Sequence, residues 1–158
     1  MFVLKIVGTV CITGATTLYA RGLVNELSCR IAALKAIKQS FTTLKGELRY
    51  GVETLPSAFM HVGERCSCGQ ETVRDFFWNT GNRLKTENGS ILKEVWEEEA
   101  KKLAAAACLN GNECDNLIAV ADSLGYLDLT QQTNNIELYL QSVDESIEAL
   151  SGKYEQNS

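Results

Sequence analysis

One proline, one histidine and no Cys-x-x-Cys pair occur in the 158 residues, and each scarcity removes a class of function. His61 offers hydrolytic chemistry a single base, and no nucleophile elbow accompanies it. With Cys66, Cys68 and a distant Cys108 or Cys114 it has the donor types for zinc, but the spacing lacks the paired Cys-x2-Cys knuckles of structural sites. Gly46 and Gly51 lack the lysine and hydroxyl residue that complete a phosphate-cradling loop. A basic stripe is missing too. The formal charge is −5 and the pI about 5.0, and the lysines and arginines between Arg21 and Arg49 read as the solvated face of a helix. Nucleic acid is therefore not an expected partner. No catalytic residue, cofactor or metal is expected.

What the chain does contain is helix. Its length suits one domain with a real core, and with 45% hydrophobic residues and few alternating β-branched runs the expected class is all-α. The six cysteines mostly fall on or beside helical patterns and read as small hydrophobes packed in a reducing compartment.

Phe2 to Ala20 reads FVLKIVGTVCITGATTLYA, about the roughly 20 residues a bilayer span requires, with Lys5 as its only charge. A secretory signal peptide would need a small-x-small cleavage site after a leucine-rich run, which is not present. A buried helix is the other reading. The expectation is a transmembrane anchor over 1–20. Arg21, Arg30, Lys35 and Lys38 after it place the domain 21–158 in the cytoplasm by the positive-inside rule.

Beyond the anchor, Leu27, Ile31, Leu34, Ile37, Phe41, Leu44 and Leu48 form one face of a long helix. It ends at a corner: Gly51 suits a left-handed helix end, Thr54 a cap, and Leu55 and Pro56 the first turn of the next helix, which runs to Glu64. Three further helices carry Val73, Phe76, Phe77, Gly81 and Leu84; then Leu92, Val95, Trp96, Leu103 and Ala107; then Cys114, Leu117, Ile118, Ala121 and Leu124. Gly125 is expected to end the last of these. Asp128 and Gln131 resemble a capping box that starts a final helix. Along it Ile136, Leu140, Val143, Ile147, Leu150 and Tyr154 repeat as a heptad seam, within one chain or between two copies. Glu97-Glu98-Glu99 reads as a solvated face paired at i,i+4 with Lys101 and Lys102.

Two surfaces are candidates for partner binding: Arg49, Tyr50 and Glu53 at the corner, and Glu97 and Glu98 on the acidic face. The corner glycine, Leu55 and Pro56 are explained by capping and packing alone.

The order of these landmarks resembles the stage III sporulation protein AB family of endospore-forming bacteria. The resemblance rests on Glu47-x-x-Tyr50-Gly51 followed by Leu55-Pro56, on Leu92-Lys93-Glu94-Val95-Trp96, and on Leu124-Gly125 with Asp128 and Gln132. It implies a bundle of about six helices, similar to the cytoplasmic domains of the inner-membrane platform proteins of type II secretion and type IV pilus machines. It also implies a non-enzymatic scaffold role in the complex between mother cell and forespore, beside a secretion-type ATPase. The family pattern has a second hydrophobic span after Tyr154, which this sequence does not include. Other functions that suit the sequence are a helical interaction module of another envelope system, or a small zinc or thiol-redox protein.

Overall fold

A computed structural model describes the backbone of residues 2–50, 54–87, 89, 91–125 and 128–157, and their side chains apart from those of 2–21, 23, 24 and 157. Seven helical elements occur among the described residues, with no strand: α1 Phe2–Tyr50, α2 Leu55–Glu64, α3 Glu71–Thr86, α4 Leu92–Ala106, α5 Gly111–Ala119, α6 Ala121–Leu124 and α7 Leu129–Asn157. Only Val120 separates α5 from α6, and its φ of −59° and ψ of −33° are helical. The Ser123 N–H and hydroxyl both donate to the Val120 carbonyl, at 3.0 and 2.7 Å, which tightens that turn. The two therefore act as one interrupted helix, which makes six helices among the described residues.

The long first helix continues without a break from the N-terminal stretch into the bundle. The side chains of the anchor expected over 1–20 lie outside the described residues. Among the described residues, no helix is long and apolar enough to cross a membrane.

The seam of α7 closes on α1 within the chain. Ile136, Val143 and Leu150 are buried, and Leu140, Ile147 and Tyr154 are half-buried. Ion pairs fix the register: Lys45 meets Glu137 at 2.7 Å and Lys38 meets Asp144 at 2.6 Å, so the two helices run antiparallel. Helices α2 and α3 form a second antiparallel pair, and here glycine is required. A Cβ on Gly81 would stand 2.5 Å from the Pro56 carbonyl oxygen, and one on Gly63 would stand 3.0 Å from the Trp78 backbone nitrogen. The absent side chains let the two backbones approach.

Between these pairs sits an aromatic core. Phe41 from α1 lies edge-on to Phe77 at 5.4 Å between centroids, and Tyr139 from α7 packs against it at 4.7 Å. Trp96 from α4 is fully buried, 4.8 Å from Phe76 and 5.3 Å from Phe59. Its indole N–H donates to the Leu117 carbonyl at 2.8 Å, which ties α4 to α5. Burial of a large ring with its one donor satisfied is the favourable case.

Three expectations are corrected. Of the five described cysteines Cys66 packs half-buried against the core as expected, but Cys29 and Cys68 are exposed, and Cys108 and Cys114 are half-buried without joining it. Glu99 is not on a solvated face but 3% exposed. Lys102 pairs with Glu99 at 2.6 Å instead of Glu98, while the expected Glu97–Lys101 pair forms at 2.6 Å.

Candidate partner-facing surface

The end of α1 presents its last two side chains to solvent. Tyr50 is 80% exposed, and the Arg49 guanidinium carbon lies 5.8 Å from the centre of its ring, within cation–π range. Gly51, Val52 and Glu53 fall outside the described residues, so the turn itself and the role expected of Glu53 are not described. Thr54 occupies the N-cap of α2 in extended backbone, but its hydroxyl donates to Ser57 Oγ at 3.3 Å and caps no backbone N–H. Pro56 lies in the first turn, where its missing N–H costs nothing.

On α4 the acidic face divides into two environments. Glu97 accepts from Lys101, and this bond holds its carboxyl below the ordinary range and the ammonium above its own. Glu98 reaches across to α3, where it accepts from Arg83 Nη1 at 2.8 Å. Arg83 is the hub: it also donates to Glu99 at 3.0 Å and to Glu87 at 3.0 Å, and these acceptors raise its pKa. Burial pushes the Glu99 carboxyl up, but Lys102 and Arg83 more than offset this, so its pKa falls below the usual value. Its second oxygen faces Asn79 at 3.5 Å, at the edge of a small cleft of about 170 Å³ between α3 and α4.

The α6–α7 turn is held by side chains rather than by its glycine. Asp128 accepts from the Gln131 N–H at 2.9 Å, and Gln132 donates to the Leu124 carbonyl at 2.9 Å, closing the end of α6 against the start of α7. Gly125 has a φ of −99°, which any residue can adopt. Among the described residues, no hydrogen bond or ion pair joins the Arg49–Tyr50 end, the Glu97–Glu98 face and this turn. They are separate surfaces.

A fourth feature was not nominated from the sequence. Two clefts of about 450 and 490 Å³ share Asn116 and Ser142 and form one trough between α5–α6 and α7. Its lining mixes neutral amides and hydroxyls, among them Asn116, Ser123, Asn135, Ser142 and Ser146, with charged and apolar side chains such as Asp122, Glu145, Lys153 and Val120. Leu138 stands on one wall, largely exposed. Across the other end Arg30 of α1 grips Glu113 of α5 through two 2.8 Å bonds. Glu113 also completes a capping box with Asn110 at the start of α5. That Asn-x-x-Glu spacing is the signal that could have found it. The trough offers hydrogen bonds in both directions. Among the described residues, no group of three or more His, Cys, Asp or Glu side chains is placed to hold a metal ion.

A family model described as Stage III sporulation protein AB matches residues 5–158. The chain belongs to the stage III sporulation protein AB family. Stage III sporulation protein AB of Bacillus subtilis (strain 168) is similar to it, 24% identical over 143 residues, which span 90% of this chain and 81% of that protein. A solved structure of stage III sporulation protein AB (SpoIIIAB) has the same fold, with a TM-score of 0.70 at 20% identity over 80% of this chain and 97% of that one. Membership in this family assigns the chain to sporulation, and the family is not a known enzyme family.

Proposed function

We propose that this protein is a non-enzymatic, membrane-anchored assembly component of a secretion-like channel complex between mother cell and forespore. The family match over residues 5–158 is the observation that carries this reading. The first twenty residues form the anchor in the mother-cell membrane, and the bundle lies in the cytoplasm. A continuous α1 supports this arrangement. At 1.5 Å per residue the segment 2–20 is about 28 Å long, close to the roughly 30 Å hydrocarbon core, and it leads into the bundle with no joint.

The partners are other proteins of the stage III sporulation complex, including a secretion-type ATPase, and membrane lipid at the N-terminal helix. Self-association is a further outcome to be measured. Arg49, Tyr50 and the Glu97–Glu98 face are the contacts assigned to partners, because they are charged or aromatic, lie at the surface and contribute little to the core.

The test is an affinity pull-down with residues 21–158 as bait from sporulating cells, read by mass spectrometry. Recovery of a secretion-type ATPase or other complex members supports the scaffold. Capture of proteins from an unrelated envelope system alone would overturn it.

A further inference from the structure

The trough between α5–α6 and α7 contains a polar group that the fold does not use. Tyr139 is 7% exposed and packs its ring on Phe41, yet its hydroxyl bonds to no other described residue. Among the described residues no wholly buried side-chain oxygen or nitrogen lacks a partner, so this hydroxyl opens onto the trough that Tyr139 lines. Burial, and after it the Glu113 carboxylate, push its pKa upward, and it stays a neutral donor. A donor held in a cleft without an acceptor is one that a ligand can satisfy.

The groups around it complete a mixed set. Ser123 and Ser142 give their protons to the Val120 and Tyr139 carbonyls, at 2.7 and 2.8 Å, so toward the trough they accept. The side-chain amides of Asn116 and Asn135 form no hydrogen bond with another described residue. Each can donate and accept as a peptide group does. Leu138, 63% exposed, adds an apolar contact on the wall.

The trough is open and long. Its α7 wall runs from Asn135 to Lys153, about 27 Å at the helical rise, which matches about eight residues of extended chain. Charge is graded along it. Arg30 and Glu113 neutralise each other at 2.8 Å, and Lys153 stands at that end. Asp122 stands at the other, with its partner Lys93 outside the trough, and Glu145 lies between them.

We propose that this trough binds an extended segment of a partner protein, about eight residues long, acidic at its Lys153 end and basic at its Asp122 end. The amides and hydroxyls pair with the main chain of the segment, Tyr139 donates to one of its carbonyls, and Leu138 takes an apolar side chain. The site shares no residue with the Arg49–Tyr50 end or the Glu97–Glu98 face, and it stands or falls independently of the channel reading.

The full chain, in detergent micelles at low salt, is incubated with acetylated and amidated octapeptide libraries randomised at every inner position. One library carries Asp and Lys at its two ends in either order, another Asp at both ends, and another Lys at both. Peptides that co-elute with the protein on gel filtration are identified by mass spectrometry. The library with opposite charges should be retained about fivefold more than either of the others. The best peptide is then labelled with fluorescein and titrated by anisotropy. Tyr139→Phe should weaken it about 3–10-fold without lowering Tm, because the hydroxyl has no partner in the fold. Leu138→Ala, at an exposed position, should weaken it with Tm unchanged. The proposal is overturned if no library is retained, or if all are retained equally. It is overturned equally if Tyr139→Phe lowers Tm, or if both variants bind the best peptide as the unmodified chain does.

Discussion

Arg30 and Glu113 form a two-point ion pair, 2.8 Å on each arm, between the first helix and the fifth. Glu113 is 7% exposed and accepts the Asn110 N–H as well, so one carboxylate holds a helix cap and a tertiary contact. Glu113→Ala leaves a mostly buried guanidinium with no partner and opens the cap. It should destabilise the bundle by about 3–5 kcal/mol. Glu113→Gln keeps an acceptor for the cap and should cost less. Urea unfolding checks this: both midpoints fall, alanine further, with an unchanged slope.

Gly81 is where α3 meets α2 too closely for a side chain. A methyl group there meets the Pro56 oxygen at 2.5 Å and Met60 Cγ at 2.7 Å, and the oxygen belongs to backbone that cannot swing aside. Gly81→Ala should therefore cost about 1–3 kcal/mol. Gly46→Ala is the control, because nothing lies within 4 Å of its Cβ position and it sits inside α1. It should stabilise by about 0.5–1 kcal/mol. Equal Tm values for the two variants would contradict the α2–α3 approach described above.

Trp96→Phe keeps most of the buried ring but removes the donor to the Leu117 carbonyl. A buried carbonyl left without its partner costs about 1–3 kcal/mol. The loss should appear as a lower Tm with unchanged helical circular dichroism at low temperature.

The parts of this fold legible in the sequence are those where pattern and packing agree. Leu34, Ile37, Phe41 and Leu44 share a 3.6-residue face, and all four are buried. Pro56 punctuates the chain, so the Leu55–Glu64 helix was readable to the residue. Tyr139 was missed because it lies one position off the heptad seam, yet it packs on Phe41. Glu99 was misread from its charged neighbours. Its position midway between Val95 and Leu103 put it on the buried stripe, but the cation that makes burial tolerable, Arg83, comes from another helix. Gly125 does stand at the end of α6, as its place in the sequence suggests, but side chains at Asp128 and Gln132 hold the turn that follows. The exposure of Arg49 and Tyr50 followed from their place at a helix end. The trough did not, since it depends on how far α5 stands from α7.

Glu99 gives the bundle a response to acid. Its folded pKa lies below the ordinary carboxylate value because Lys102 and Arg83 hydrogen bonds favour the ionised form. Its contribution is therefore complete above the unfolded carboxylate pKa, about 4.3, and is lost as pH falls through the lower folded value. Stability measured from pH 6 downward should fall more steeply in the unmodified chain than in Glu99→Gln. The variant should be less stable at pH 6, and the two curves should converge at the acid end.

Reversing the charges at Glu97 and Glu98 separates folding from partner binding. Glu97 pairs with Lys101 in its own helix, and the Glu98 carboxylate is one of three that Arg83 reaches, so Glu87 and Glu99 remain to hold that guanidinium. Exposed pairs of this kind contribute little to stability. The double variant Glu97→Lys, Glu98→Lys should keep its helical spectrum, with a Tm within a few degrees, about 2–4 °C, of the unmodified bundle. Capture of sporulation-complex partners should fall at least tenfold, and the capture by the unmodified bundle should weaken as salt is raised, as association through a charged face requires. Undiminished capture by the variant would remove this face from the interface and leave Arg49 and Tyr50 as the surface to reverse next.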